Sequence, residues 1–272
     1  MSEAGFIEAK APPPVPKTRP KLGGLIFAGV WALIAIGLAA YIVGNWNPAL
    51  FDTYARPYLQ GLGVTVGLVL SSFVCGAILS LPVALGRMSH NPLASGLAFV
   101  FVYFFRGTPL IAQIFLVYYG FGEFRDFFET IGLWWFFREA WSCALFSLSL
   151  NTAAYQAEIL RGAIQSVPRG QWEGGTSLGL SRAVIFTKIV LPQAMIVALR
   201  PYANEIILMI KASAIVAIIT VYDLFGITRQ AYSRTFDFQT YVWAALLYLA
   251  IVEALRNLTN LAERRLTRHL VR

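Results

Sequence analysis

Glu173-Gly174-Gly175-Thr176-Ser177-Leu178-Gly179-Leu180, running on through Phe186, Ile189 and Leu191-Pro192, is a polar, glycine-bearing stretch between two long apolar runs. Pro168 stands before it and Pro192 closes it. A mostly apolar chain keeps such a segment when something soluble docks on it, or when it lies along a membrane surface. The fold is decided by how the flanking runs are read.

The chain has 272 residues, 57% of them hydrophobic and 13% charged. That charge content is about half the roughly 25% of globular proteins. Apolar runs longer than about 18 residues with few charges read as membrane spans. Six are expected: Leu22 to Gly44, Tyr58 to Gly86, Leu93 to Phe121, Ala140 to Leu160, Ala194 to Val221 and Thr240 to Leu261. The second, third and fifth exceed the roughly 20 residues of a straight span, so tilt, breaks or protruding ends are expected. The class is an all-α polytopic membrane protein. A net charge of +8 is not a nucleic-acid signal here, because membrane proteins gather Lys and Arg on one side. Cys75 and Cys143 lie inside apolar runs and read as small buried hydrophobes. His90 and His269 are far apart with no Cys or carboxylate cluster beside them, so no metal site is expected. Residues 1–21 are Pro-rich and carry Lys10, Lys17, Arg19 and Lys21, which reads as a disordered basic tail rather than a signal peptide.

Lys and Arg counts set the orientation. Fourteen fall with the N-terminal tail, Arg87, the 161–193 loop and the C-terminal tail. Five fall on the other side: Arg56, Arg125, Arg138, Arg229 and Arg234. Both termini and the 161–193 loop are therefore expected in the cytoplasm. Arg106, Arg200 and Lys211 remain within spans, as do the acids Glu158, Glu205 and Glu253. Each ionisable group in hydrocarbon costs at least about 2.5–3.5 kcal/mol on insertion scales, so each needs a partner or water. For Glu158, Glu253 and Arg256 a helix-end position that reaches the interface is the simpler reading.

The fifth span has two polar directions. At 100° per residue, Arg200, Asn204, Leu208 and Lys211 share one side, while Glu205 points with Tyr202, Met209 and Ala212. Glu205 lies near mid-depth, four residues after Pro201, which breaks or kinks a helix. Broken helices with mid-depth polar groups are how transporters build substrate sites. The fourth span carries Ser147, Asn151, Tyr155 and Glu158 at helical spacing, read first as interhelical hydrogen bonding. In the third span Arg106-Gly107-Thr108-Pro109 marks a break, with Gln113 just beyond. In the loop, Gly170 to Leu178 is expected to form a short helix ended at Gly179. Ser181 is expected to cap a second, Arg182 to Val190, which Pro192 stops.

The order Glu173, six residues to Gly179, then Phe186, Ile189 and Leu191-Pro192-Gln193 resembles the EAA loop of the membrane subunits of binding-protein-dependent ABC importers. The two alanines of that motif are Gly174 and Gly175 here, at a cost of about 1 kcal/mol each in helix propensity. Phe105-Arg106-Gly107-Thr108-Pro109-Leu110, Asn151-Thr152-Ala153-Ala154-Tyr155, Gly162-Ala163-Ile164-Gln165-Ser166-Val167-Pro168 and Asn204-Glu205-Ile206-Ile207-Leu208-Met209 resemble the polar amino acid branch. Within it they are similar to the M-type subunits of histidine, lysine–arginine–ornithine, octopine or nopaline importers. The resemblance implies a type I ABC importer permease fold and a complex in the bacterial inner membrane. Its partners would be a second homologous permease, forming a heterodimer, an ABC ATPase dimer, and a periplasmic or lipid-anchored amino acid binding protein. The expected divisions are a tail at 1–21, an extra span and outer loop at 22–57, the permease domain at 58–265 with its loop at 161–193, and a tail at 266–272. No Gly-x-x-x-x-Gly-Lys-Ser/Thr phosphate loop occurs. ATP would be bound by the partner, this chain would hold no cofactor, and it would not be an enzyme. Glu173, Gly174, Gly175, Gly179, Phe186, Ile189 and Pro192 would couple to the ATPase.

Glu205, Asn204, Tyr202, Met209, Arg106 and Asn151 are the substrate-path candidates. A carboxylate at Glu205 suits a cationic amino acid such as arginine, lysine, ornithine or histidine, or an opine. It would also serve the ammonium of a neutral amino acid such as glutamine. A stand-alone secondary transporter is the rival class, which leaves the loop motif unexplained.

Overall fold

The apolar runs dictate helices, and the computed structural model contains little else: its description covers residues 22–266. The tails expected at 1–21 and beyond Leu266 lie outside that range. Two compact units divide at Pro48 and Ala49. The first contains α1, Leu22–Gly44, apolar on all sides with every side chain at least partly open.

Nearly all of α2, Pro48–Arg87, belongs to the second unit; it continues as helix past Pro57 and Pro82 and starts ten residues before the expected Tyr58. Asn91 caps α3, Pro92–Gly107, with its side-chain oxygen on the Leu93 and Ala94 amides. The expected span Leu93 to Phe121 is not one rod. At Thr108-Pro109 the chain turns by 107° into α4, Leu110–Phe115, and a wound continuation to Thr130 that includes α5, Arg125–Thr130. Proline at 109 forces Thr108 out of the helical region, to ψ 147°. After α6, Trp134–Phe137, comes α7, Ala140–Ser166.

Helix α7 is the packing centre. It lies against α3, α4 and α10, and α10 in turn lies against α12. Helix α8, Arg169–Ser177, and the short α9, Arg182–Val184, form the loop hairpin. The helical run does not stop at Pro192, contrary to expectation. A π turn at Ile185–Val190 passes into α10, Leu191–Ser213, and on through a 3₁₀ segment to Ile219. The π turn ahead of Pro192 has already left the α register, so the missing Pro192 amide interrupts no regular α pairing. Asp223 then caps α11, Leu224–Thr235, and α12, Gln239–Leu266, closes the fold.

Four helical runs are long and apolar enough to cross a membrane, and the bent α3–α4 pair makes five. Helix α7, 27 residues long, is not among them. Its face is polar because protein, not lipid, covers it. Cys143 is buried as expected, but Cys75 is exposed on α2, on a side that presents apolar residues such as Val74, Ile78 and Leu79 outward.

Close approach of α2 and α7 rests on Gly76. A Cβ there would run into Thr152 Cγ2, with Gln156 Nε2 at 3.1 Å and the Ser149 carbonyl at 3.2 Å. Gly76→Ala is expected to destabilise the protein by about 1–3 kcal/mol through overpacking. Gly63→Ala on the same helix, with nothing within 4 Å, is expected to be neutral or slightly stabilising. Thermal unfolding of the two variants in detergent checks the contrast.

Candidate functional site

The loop hairpin is closed by local chemistry. Gly179 has φ +71°, a conformation that glycine adopts without a Cβ penalty. Its amide donates to the Thr176 carbonyl at 2.9 Å and the Leu180 amide to the Gly175 carbonyl at 3.1 Å. This pair of bonds is the Schellman termination of α8. The Ser181 hydroxyl accepts from the Val184 amide at 3.4 Å and starts the return run, as the sequence implies.

Packing holds the two arms together. Ile185, 1% exposed, sits under Gly175, where a Cβ would lie 2.7 Å from Ile185 Cγ1. The Trp172 and Phe186 rings stack at 6.4 Å, and both lie on the core made by Leu160, Ile164, Val190 and Ala194. Gln193 donates to Gln171 at 3.3 Å and to the Ile189 carbonyl at 2.8 Å. Thus the glycine at 175 has a steric reason, whereas Gly174 faces open space. Glu173, Leu178 and Leu180 point away from the protein, with Leu178 79% exposed.

The six mid-depth candidates do not converge on one cavity. Glu205 is 6% exposed and accepts from the Thr152 hydroxyl at 3.0 Å. Gln156 donates to the Thr152 hydroxyl and to the Phe73 carbonyl, each at 3.1 Å, and the Tyr202 hydroxyl approaches the Gln156 carbonyl at 3.5 Å. Met209 is buried in the core near Leu68 and Leu148. Asn151 donates to the Phe105 carbonyl at 3.1 Å and to Gln113 Oε1 at 2.9 Å, and Gln113 donates to the Phe105 carbonyl and Thr108. These bonds pin the chain break to α7. The Arg106 guanidinium lies over the Tyr155 ring at 5.1 Å. Asn204 is exposed and borders a groove with Arg200, Arg256 and Glu263, across which Arg200 pairs with Glu263 at 2.7 Å.

The two directions of α10 are therefore real: Arg200, Asn204, Leu208 and Lys211 are exposed while Glu205 and Met209 are buried. Glu158 does not snorkel alone. It binds Arg161 at 2.7 Å and Arg87 at 3.1 Å, tying α2 to α7. Sequence reasoning missed Thr152 and Gln156, whose four-residue spacing on α7 puts both on one face. It also missed Asp223, fully buried, whose Oδ1 accepts from the Gly226 amide at 2.8 Å. A helix-start pattern, Asp before an apolar run, carried that signal. Among the described residues no group of His, Cys, Asp and Glu is arranged to hold a metal ion.

Residues 72–268 match the family described as binding-protein-dependent transport system inner membrane component. Over 213 residues the chain is 41% identical to the nopaline transport system permease protein NocM of Agrobacterium fabrum, covering 78% of this chain and 88% of that protein. Over 225 residues it is 38% identical to the histidine/lysine/arginine/ornithine transport system permease protein HisM of Escherichia coli K12, covering 82% and 94%. Among solved structures, a chain of an amino acid ABC transporter crystallised with histidines superposes with a TM-score of 0.71 at 31% identity, over 80% of this chain and 98% of that one. The chain thus belongs to the binding-protein-dependent inner membrane components, the permease subunits of ABC importers, and is a translocation subunit rather than an enzyme.

Proposed function

We propose that this chain forms half of the path of an importer for cationic amino acids or opines, beside a second, homologous but different permease. An ATPase pair seats on the loop hairpin and a binding protein delivers substrate to the opposite face. ATP is bound by the ATPase and this chain holds no cofactor. The hairpin and both termini are cytoplasmic, on the side where Lys and Arg are concentrated.

The observation that carries this reading is the hairpin. It is closely packed behind, through Ile185, Trp172 and Phe186, and presents Glu173 with the apolar Leu178 and Leu180 in front. An exposed apolar tip on a preorganised turn suits a groove on another protein, since little ordering entropy remains to be lost. Glu173, Gly174, Gly175 and Gly179 form the seat, and Phe186, Ile189 and Pro192 join it to α10. The substrate class is supported by the relatives, which are named for nopaline and for histidine, lysine, arginine and ornithine.

Glu205 is the acid proposed to meet the substrate's cation, with Tyr202, Asn204, Met209, Arg106 and Asn151 around the path. A second reading is favoured by its burial and its Thr152 bond: Glu205 fixes α10 on α7 and never meets substrate.

Glu173→Arg is expected to abolish copurification of the ATPase while the permease still folds. Gly174→Ala is expected to retain it and add up to about 1 kcal/mol of helix stability, whereas Gly175→Ala must displace Ile185 and is expected to cost about 1–3 kcal/mol. Pull-down and thermal unfolding together check these three; an ATPase that still binds Glu173→Arg refutes the seat. For Glu205→Gln, the expected outcome in proteoliposomes is a loss of preference for arginine over glutamine in substrate-stimulated ATPase. An unchanged preference establishes the packing reading.

A further inference from the structure

Lys211 carries an ammonium without a counter-ion. It sits on α10 eight residues before this membrane-spanning run ends at Ile219, about 12 Å or more along the axis. Its side chain is exposed, and among the described residues it has no ion pair and no hydrogen bond. The other cations on this part of the fold are engaged. Arg200 binds Glu263, Arg106 covers Tyr155, and Arg229 donates to the Ala217 carbonyl at 3.3 Å. An ammonium in hydrocarbon is costly unless a partner or water answers it, and a ligand carboxylate is such a partner.

Lys211 borders a cavity of about 380 Å³ between α10, α11 and α12. Its other walls are the aromatic rings of Phe225, Tyr241 and Tyr248 and three alanines. Behind Tyr248 lies the fully buried Asp223, whose Oδ2 accepts from the Tyr248 hydroxyl at 3.4 Å. The cavity thus has a cation at its rim, aromatic faces along its length and a carboxylate behind one of them. Aromatic faces attract guanidinium and ammonium groups, and the volume is at the small end of ligand pockets, enough for one amino acid or opine. It also lies twenty residues along α10 from the hairpin end at Leu191.

We propose that this cavity is a substrate subsite in which Lys211 Nζ holds the ligand's carboxylate while the Phe225, Tyr241 and Tyr248 rings receive its cationic end. This rests on the reading of the chain as an amino acid or opine permease; Glu205 is not among the cavity's walls, so the subsite is a station apart from the one proposed at that acid. It sits at the end of α10 remote from the hairpin, where incoming substrate arrives first.

Equilibrium binding of radiolabelled arginine to the complete permease–ATPase complex in nanodiscs, with no binding protein present, tests it. Agmatine, which is arginine without the carboxylate, is the second probe. Lys211→Met is expected to weaken arginine binding about tenfold or more, the scale of one charge-assisted hydrogen bond, and to leave agmatine binding unchanged. Lys211→Arg keeps the charge and is expected to stay within about threefold of wild type. Equal arginine affinity in wild type and Lys211→Met overturns the proposal, as does an equal loss for agmatine. So does separation of the two permeases in Lys211→Met, which assigns the ammonium to an acid of the partner subunit. If wild type binds glutamine in preference to arginine and Lys211→Met weakens glutamine about tenfold, the subsite stands and the cationic substrate class falls.

Discussion

Thr152 of α7 donates to Glu205 of α10 at 3.0 Å and accepts from Gln156, which reaches across to the Phe73 carbonyl of α2. This chain of bonds joins three helices at one level. Without water to fall back on, each of those groups would be costly alone. The same logic repeats along α7: Asn151 holds the α3–α4 break and Glu158 holds Arg87 and Arg161. Small residues let the helices come close enough for such bonds to form. Ala153, Ala154 and Ala157 are fully buried, and Gly76 faces Thr152. A polar helix can therefore sit at the centre of a membrane protein, and its low hydropathy is a consequence of being covered by its neighbours.

Signals of short range were legible. Gly179, Ser181 and Pro168 each act within four residues, and the hairpin they mark forms as the sequence implies. The break at Arg106–Pro109 was equally legible, since proline restricts its neighbour locally. Its 107° consequence was not, because the direction taken after a break is set by what Gln113 and Asn151 find to bond. Pro192 misled for a related reason. A proline reads as a stop unless the preceding turn is already out of α register, and the π turn at Ile185–Val190 does that without a sequence mark. The two faces of α10 followed from periodicity alone. Which acid partners which hydroxyl did not, because Thr152 and Glu205 are 53 residues apart.

The departure from the alanine pair of the EAA motif illustrates how packing can reverse a propensity argument. In isolation both glycines weaken α8. In the fold, Gly175 is the residue that lets Ile185 reach the helix backbone. The cost in propensity is offset by a close-packed contact between the two arms, and only Gly174 remains a simple loss.

Helix α8 stands between the two helices that pack most intimately, since α7 ends at Ser166 and the run into α10 begins at Arg182. That second run is continuous for 38 residues to Ile219 and carries Ile185 at one end and Lys211 near the other. If an ATPase acts on α8, as we propose, a displacement there enters the run into α10 through the Gly175–Ile185 contact. Close-packed interiors transmit strain rather than dissipate it. The Thr152–Glu205 bond lies directly in that line, so the contact that fixes α10 in place is also the one a moving α10 must break or carry along.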